Sequence, residues 1–188
     1  MIWLVLGVVL WCAVHLLPSV GTSFKTALVG KVGAKGYRGV FSLFIVLAVV
    51  LIVIGWRTVG PDPVYIPPEG AKHATLALML LSFILVGAAQ YPTRIKRLIR
   101  HPQLTGVIVW AVAHLFSNGD SRSLVLFGGL GLWALIEIPL INARQGAWTK
   151  PEAPEVWKEI RGIIISLIVL AVILFLHPYF TGASPLPA

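Results

Sequence analysis

The feature that most constrains this chain is a series of six apolar segments separated by short loops. Most of these loops contain proline. The segments run approximately over residues 1–17, 38–56, 73–90, 102–117, 122–142 and 161–177. About 17–25 apolar residues in a helix cross the hydrocarbon core of a bilayer. The pattern therefore predicts an all-α fold, a polytopic transmembrane helix bundle with six spans, in a single domain over residues 1–188.

Composition agrees with a surface that faces lipid. Only 12% of the residues are charged, against about 25% in a typical soluble domain. The net charge of +8 comes from short basic clusters between the apolar segments, a pattern typical of membrane proteins and not of a face that binds nucleic acid. The single cysteine, Cys12, excludes an intrachain disulfide framework and a multi-cysteine zinc or iron–sulfur site. The first segment lacks the flanks of a cleaved signal peptide, so we expect a retained helix.

Loop charge predicts the orientation of the bundle. The first, third and fifth loops are basic, whereas the second has a net charge of −1 and the fourth is neutral. Basic loops stay on the cytoplasmic side of a membrane. The pattern therefore predicts a multi-pass membrane protein in which both termini lie outside, N-out and C-out, which is the periplasm in a Gram-negative host.

Two of the five histidines lie inside apolar segments. An ionisable side chain in lipid is costly, so we expect His15 and His114 to face the protein interior. Each has a tryptophan four residues earlier on the same helical face, Trp11 and Trp110 respectively. With a helical rise of about 1.5 Å per residue, the depths of the two histidines in the membrane differ by about 10 Å. The other three histidines are expected at the interfaces: His73, His101 and His177.

The residues alone leave two explanations open for His15 and His114. Two buried imidazoles beside flat indole rings fit a haem held between two helices, because haem accepts an axial histidine on each side. Alternatively, each histidine forms a hydrogen bond to a carbonyl or hydroxyl group of a neighbouring helix. Arg38 and Arg100 fit either haem propionates or lipid phosphates. Glu137, late in the fifth segment, is expected to form an ion pair with Arg38, Arg100 or Arg144; the alternative is a proton relay or a contact with a cofactor.

Three stretches carry a resemblance to a known family. They are His15-Leu16-Leu17-Pro18-Ser19, Tyr37-Arg38-Gly39 and the block of residues 100–129, RHPQLTGVIVWAVAHLFSNGDSRSLVLFGG. Together they resemble the NnrU family, and the resemblance covers nearly the whole chain. The family takes its name from denitrifying bacteria, where such proteins are linked to nitrite and nitric oxide metabolism.

The resemblance also implies a cofactor. The same family includes the plastid 15-cis-zeta-carotene isomerase, an integral membrane b-type haem enzyme, which is similar here through the His-Pro-Gln start and the Trp-x-x-x-His end of the fourth segment. This implies haem b with His15 and His114 as iron ligands. The isomerase has a cysteine three residues before its second histidine, where this chain has Ala111, so ligand exchange there is impossible. Cys12, three residues before His15, is the possible alternate ligand.

Two functions and one cofactor-free alternative follow from the resemblance. The first is a membrane haem protein that supports nitrite and nitric oxide (denitrification-linked) redox metabolism, with a membrane redox partner. The second is a redox-gated cis–trans isomerase acting on a carotenoid or another lipophilic polyene. The third is a membrane scaffold or transporter without a cofactor. Ala111 favours the first, because a haem fixed by two histidines suits electron transfer and not Lewis-acid chemistry.

Overall fold

Six helices make up most of the computed structural model, which describes residues 1–186. Within that range the chain forms no β-strand, and one isolated bridge pairs Pro63 with Asp120. The all-α prediction is therefore confirmed. The helices are α1 (Ile2–Val20), α2 (Thr22–Thr58), α3 (Ala71–Ala88), α4 (Pro102–Ser117), α5 (Ser121–Gln145) and α6 (Val156–Thr181).

Each predicted apolar segment lies on one of these helices. Five of them are long and apolar enough to cross a membrane. The sixth, α4, has 16 residues, which corresponds to about 24 Å. Large apolar side chains such as Val46, Leu132 and Ile168 are exposed on the outside of the bundle, as expected for a surface in contact with lipid. The chain is thus a multi-pass membrane protein.

The first loop differs from the prediction because it is helical. The sequence predicts a loop up to Tyr37, but α2 begins at Thr22 and breaks at Gly33, where φ is 75° and ψ is 167°. Glycine adopts a positive φ at no steric cost. The run from Thr22 to Val32 contains no proline, so nothing in it prevents a basic, polar stretch from forming a helix before the break.

Helix α5 lies at the centre of the bundle. It packs against both α1 and α4, while α2 packs on α1 and α3 packs on α4 and α6. Glycines allow this close approach: a Cβ built on Gly129 would lie 2.6 Å from Cγ1 of Val8, and one on Gly131 would lie 2.9 Å from Cβ of Ala111. Gly128 faces open space instead, so only two of the three glycines near the start of α5 serve the packing.

The loops gather at two opposite ends. At the first end, Arg100 Nη1 donates to the carbonyl of Gly146 at 2.8 Å, which joins the third loop to the fifth. At the other end, the N–H of Val64 donates to the carbonyl of Gly119 at 2.7 Å, which joins the second loop to the fourth. Oγ of Ser19, at the end of α1, donates to Glu137 in the second half of α5, which places the first loop at the first end as well. The three basic loops therefore share one end, here called the basic end. That the basic end is cytoplasmic stays a prediction from loop charge.

Candidate functional site

His15 lies in the last third of α1, where it faces Trp133 of α5. Its Nδ1 is 2.9 Å from the backbone carbonyl of Trp11. A carbonyl only accepts hydrogen bonds, so Nδ1 carries the proton and Nε2 carries the free lone pair. The imidazole centroid lies 4.3 Å from that of Trp11 and 4.9 Å from that of Trp133 on α5. The ring is therefore held both by a hydrogen bond and by two indoles.

His114 repeats this arrangement on α4. Its Nδ1 is 2.9 Å from the carbonyl of Trp110, and its ring stacks on Phe127 with a centroid distance of 4.3 Å and an interplanar angle of 20°. Phe127 belongs to a π-helical turn within α5, Leu124–Gly128. Such turns occur frequently at functional sites, because the extra residue changes the direction of the side chains.

Both histidines thus use Nδ1 for a hydrogen bond within their own helix and have Nε2 as the remaining ring nitrogen. Each bonds a carbonyl of its own helix, and not a neighbouring helix as the packing explanation proposes. Among the described residues, Nε2 of neither histidine has a hydrogen-bond partner. A metal-ligating histidine characteristically donates its other ring N–H to a carbonyl or carboxylate, which sets the tautomer and the ring orientation. The geometry of His15 and His114 matches that requirement.

Two adjoining cavities contain the two histidines. The first has a volume of about 480 Å³ and extends from His15 to the basic end. The second has about 350 Å³ and contains His114. Pockets of roughly 300–1,000 Å³ hold small molecules and cofactors. The two cavities share three wall residues, Trp11, Val107 and Trp133.

A third cavity of about 420 Å³ lies on the other side of His114, towards the end opposite the basic end. Its wall includes Arg122, whose guanidinium lies 4.3 Å from the ring centroid of Trp56 and whose Nη1 donates to the carbonyl of Val59 at 3.2 Å. His114 therefore lies nearer this end and His15 nearer the basic end. This order agrees with the membrane depths predicted from the sequence.

Three buried polar atoms on the wall of the first cavity have no hydrogen-bond partner among the described residues. They are Nε1 of Trp11, Nε1 of Trp133 and Oε2 of Glu137. An unpaired buried donor or acceptor costs about 1–3 kcal/mol. The wall thus combines flat apolar surface with unused hydrogen-bonding groups, which suits an aromatic ligand with a polar edge.

Glu137 corrects a prediction. The sequence predicts an ion pair with an arginine, but within the described part of the chain the carboxylate accepts a hydrogen bond only from Oγ of Ser19, at 2.9 Å. Glu137 is 4% exposed. Arg100, the arginine that shares its cavity, donates instead to a backbone carbonyl in the fifth loop. The predicted ion pair with Glu137 is therefore wrong.

The remaining predicted site residues are distributed over different surfaces. Trp110 lines the second cavity, with its ring centroid 5.0 Å from that of His114. Arg100 lines the first cavity at the basic end. Arg38 lines neither cavity and lies in a separate recess between α1 and α2. Cys12 is half-buried and also lines neither cavity.

Helix α5 supplies site residues that sequence reasoning misses. Trp133 lies between the two histidine cavities, and Phe127 stacks on His114. Neither is adjacent in sequence to a histidine, so no local spacing identifies them. The available signal is the pair Gly129 and Gly131, because glycines that allow close approach mark the helix that contacts both α1 and α4.

The donor set distinguishes between kinds of metal site. Within residues 1–186, no group of three or more histidine, cysteine, aspartate or glutamate side chains is placed to hold a metal ion. Protein-only sites for zinc use three or four such ligands. Two histidines with free Nε2 atoms fit a macrocycle that brings its own four nitrogens and takes one or two axial ligands.

Comparison with known proteins identifies the family. The family model described as NnrU protein matches residues 3–185, which is nearly the whole chain. The chain therefore belongs to the NnrU family. No curated protein and no solved structure matched the chain.

Proposed function

We propose that this member of the NnrU family is an integral membrane b-type haem protein in which His15 and His114 hold the iron. The observation that carries the proposal is their shared geometry. Each Nδ1 donates to the carbonyl four residues earlier, and each Nε2 is left for a ligand. The two cavities that contain them meet at Trp11 and Trp133.

The residues of the first cavity suit the two ends of such a cofactor. Trp11 and Trp133 offer flat apolar surface to a planar ring. At the basic end, Lys96 and Arg100 line the same cavity. Cationic and N–H donor groups are the natural partners of propionate carboxylates.

The side chains around each histidine adjust its strength as a ligand. The hydrogen bond from Nδ1 to a backbone carbonyl raises the basicity of Nε2 and prevents rotation of the ring. Stacking of Phe127 on His114 restricts that ring further. When bound, haem supplies a one-electron redox centre whose potential depends on its axial ligands and on burial. The chain's own contribution is to orient both imidazoles and to exclude water from them.

For the physiological role we propose redox metabolism linked to nitrite and nitric oxide, in the bacterial inner membrane. Support for this role comes from family membership, and the haem proposal does not depend on it. A site built from two fixed histidines suits electron transfer to or from a membrane redox partner.

An isomerase acting on a carotenoid or another polyene is the second candidate function. The observation in its favour is the apolar wall of the second cavity, which includes Met79, Phe83 and Val86 beside His114. Two observations oppose it. Ala111 is buried against Gly131 in the contact between α4 and α5, and Cys12 lines neither histidine cavity. Neither histidine cavity therefore has a cysteine in its wall that could replace a histidine as iron ligand.

The test is an absorption spectrum of the detergent-purified protein, oxidised and then reduced with dithionite, from cells supplied with a haem precursor. We expect a Soret band that sharpens on reduction with split visible bands. His15→Ala and His114→Ala should each lose haem or convert it to a five-coordinate form. His101→Ala, whose Nε2 is hydrogen-bonded to Asn142 at 2.9 Å, is the matched control and should keep the wild-type spectrum.

Three outcomes separate the alternatives. A normal spectrum in the double variant His15→Ala/His114→Ala would refute the ligand assignment. Carbon monoxide binding to the reduced wild-type protein would show a labile iron site and favour the isomerase over electron transfer. Absence of haem from a folded protein, with substoichiometric absorption even after precursor feeding, would favour the cofactor-free scaffold or transporter.

A further inference from the structure

A recess between α1 and α2 contains two cationic side chains and lies apart from both histidine cavities. Its volume is about 340 Å³. It lies at the basic end, where α1 ends and the bent helix α2 begins. Its wall consists of Pro18, Lys25, Tyr37, Arg38, Phe41 and Ser42.

The break at Gly33 builds this recess. Lys25 and Tyr37 are twelve residues apart and would be separated by about 18 Å along a straight helix. With φ of 75° at Gly33, the first arm of α2 folds back, and Nζ of Lys25 lies 5.9 Å from the centroid of the Tyr37 ring. The cationic groups of Lys25 and Arg38 are therefore brought together by the bend.

The chemistry of the recess favours an anion. Residues 1–61 contain no aspartate or glutamate, and neither Lys25 nor Arg38 takes part in an ion pair within the described part of the chain. The hydroxyl of Tyr37 is buried and has no partner among the described residues. Two positively charged side chains and a tyrosine with an unused O–H donor thus line the same small space.

The surroundings favour a ligand with an apolar part. Phe41 and Pro18 form one side of the recess. On the first arm of α2, Phe24 and Val32 are exposed while Lys25 and Lys31 are charged, a composition typical of a helix at the interface between headgroups and acyl chains. Basic pockets between helices at this level bind anionic lipid headgroups.

We propose that the recess of Lys25, Tyr37 and Arg38 binds the phosphate of an anionic phospholipid. The two cations contact the phosphate oxygens, Tyr37 donates its hydroxyl to one of them, and the acyl chains lie along Phe41. From the sequence alone, the anionic partner of Arg38 is either a cofactor carboxylate or a lipid phosphate. The structure assigns it to lipid, because Arg38 lies outside the cavities of His15 and His114.

Native mass spectrometry of the full chain in a neutral detergent tests this assignment. The added probes are phosphatidylglycerol, phosphatidylcholine and inorganic phosphate, each in a separate titration. We expect the wild-type protein to retain phosphatidylglycerol in preference to phosphatidylcholine. Lys25→Gln/Arg38→Gln should weaken phosphatidylglycerol binding by about 30-fold, since each basic residue near an anionic lipid contributes a factor of about five. Tyr37→Phe should weaken it by a smaller factor.

The matched control is Lys31→Gln/Lys35→Gln, which removes the same charge from the same two arms of α2, one lysine on each side of Gly33. Neither lysine lines the recess. It should bind phosphatidylglycerol like the wild type. An equal loss in this control would show attraction to basic charge in general and would overturn the proposal. So would equal retention of phosphatidylcholine, or displacement of phosphatidylglycerol by inorganic phosphate at similar concentration.

A second variant keeps every charge and changes only the shape. Gly33→Ala forces a side chain onto a residue with φ of 75°, a conformation that disfavours alanine. The helix should straighten and separate Lys25 from Arg38, so phosphatidylglycerol binding should fall while helicity by circular dichroism persists. Wild-type binding in folded Gly33→Ala would contradict the proposal, even where the charge variants fail to fold.

Discussion

The contact between Gly131 of α5 and Ala111 of α4 supports a quantitative prediction. A Cβ at position 131 would lie 2.9 Å from Cβ of Ala111, whereas carbon atoms prefer about 3.5–4.0 Å. Both atoms are attached directly to helix backbone, so neither can swing away. The two helices would have to separate by about 0.6–1.1 Å, and overpacking of this kind costs about 1–3 kcal/mol.

Gly128→Ala is the matched comparison for Gly131→Ala. Both positions are helical, and both variants gain the helix propensity of alanine over glycine, about 1 kcal/mol. A Cβ at Gly128 meets nothing within 4 Å. The propensity gain cancels in the difference, so Gly131→Ala should be less stable than Gly128→Ala by about 1–3 kcal/mol.

The assay is unfolding of the purified protein by SDS in mixed micelles, followed by helical circular dichroism. Ala111→Gly should rescue Gly131→Ala, because it removes the methyl group that the new Cβ meets, and a double-mutant cycle should give a coupling of at least about 1 kcal/mol. On the proposed haem site, haem content provides a second measurement, since α4 and α5 also meet where His114 stacks on Phe127. Equal stability of the two glycine variants, or absence of rescue by Ala111→Gly, would refute this account of the α4–α5 packing.

Three further predictions concern caps, pH and cofactor retention. Asp120→Ala should lower stability by about 1–2 kcal/mol in the same assay, because Oδ1 accepts from the N–H of Ser123 at 3.0 Å, whereas Asp120→Asn should retain most of the cap. The Glu155 carboxylate accepts from Nε1 of Trp157 at 2.5 Å, and this bond, with help from a nearby lysine, lowers its pKa. A lowered pKa means that the contact is complete above the ordinary glutamate value and is lost as pH falls through the folded pKa, so Trp157 fluorescence should shift only below about pH 4.3 and not in Glu155→Gln. On the proposed haem site, Trp110→Ala should weaken haem retention in dialysis against a haem-binding protein without changing the coordination spectrum; a five-coordinate spectrum would contradict its role as a wall residue of the cavity.

The length and composition of the apolar segments were sufficient to predict the membrane-spanning helices, because both are local properties of the sequence. The fourth segment, residues 102–117, coincides with α4, and proline at its start and a polar turn at its end mark both bounds. The first loop was mispredicted because the prediction relied on apolar segments. The stretch before Gly33 lacks such a segment and is nevertheless helical. Only the coordinates reveal that Gly33 has a positive φ, since glycine adopts either sign.

The candidate site shows the same division. The repeated Trp-x-x-x-His spacing on α1 and α4 identifies His15 and His114, because residues four apart share a helical face. The same spacing also accounts for the hydrogen bond from each Nδ1 to the carbonyl four residues earlier. The prediction of an ion pair for Glu137 was wrong because charge alone does not show which donor lies next to a buried carboxylate. In the structure that donor is Ser19.

The sequence by itself determined that the chain crosses a membrane as helices, which loops are basic and which two histidines lie within apolar helices. These properties depend on residues near one another in the chain. Tertiary structure alone decided that α5 lies between α1 and α4, that Trp133 and Phe127 border the histidine cavities, and that Arg38 belongs to a different recess. The physical reason is that helix partners are chosen by close packing of small residues, and many pairings of six apolar helices bury similar area in lipid.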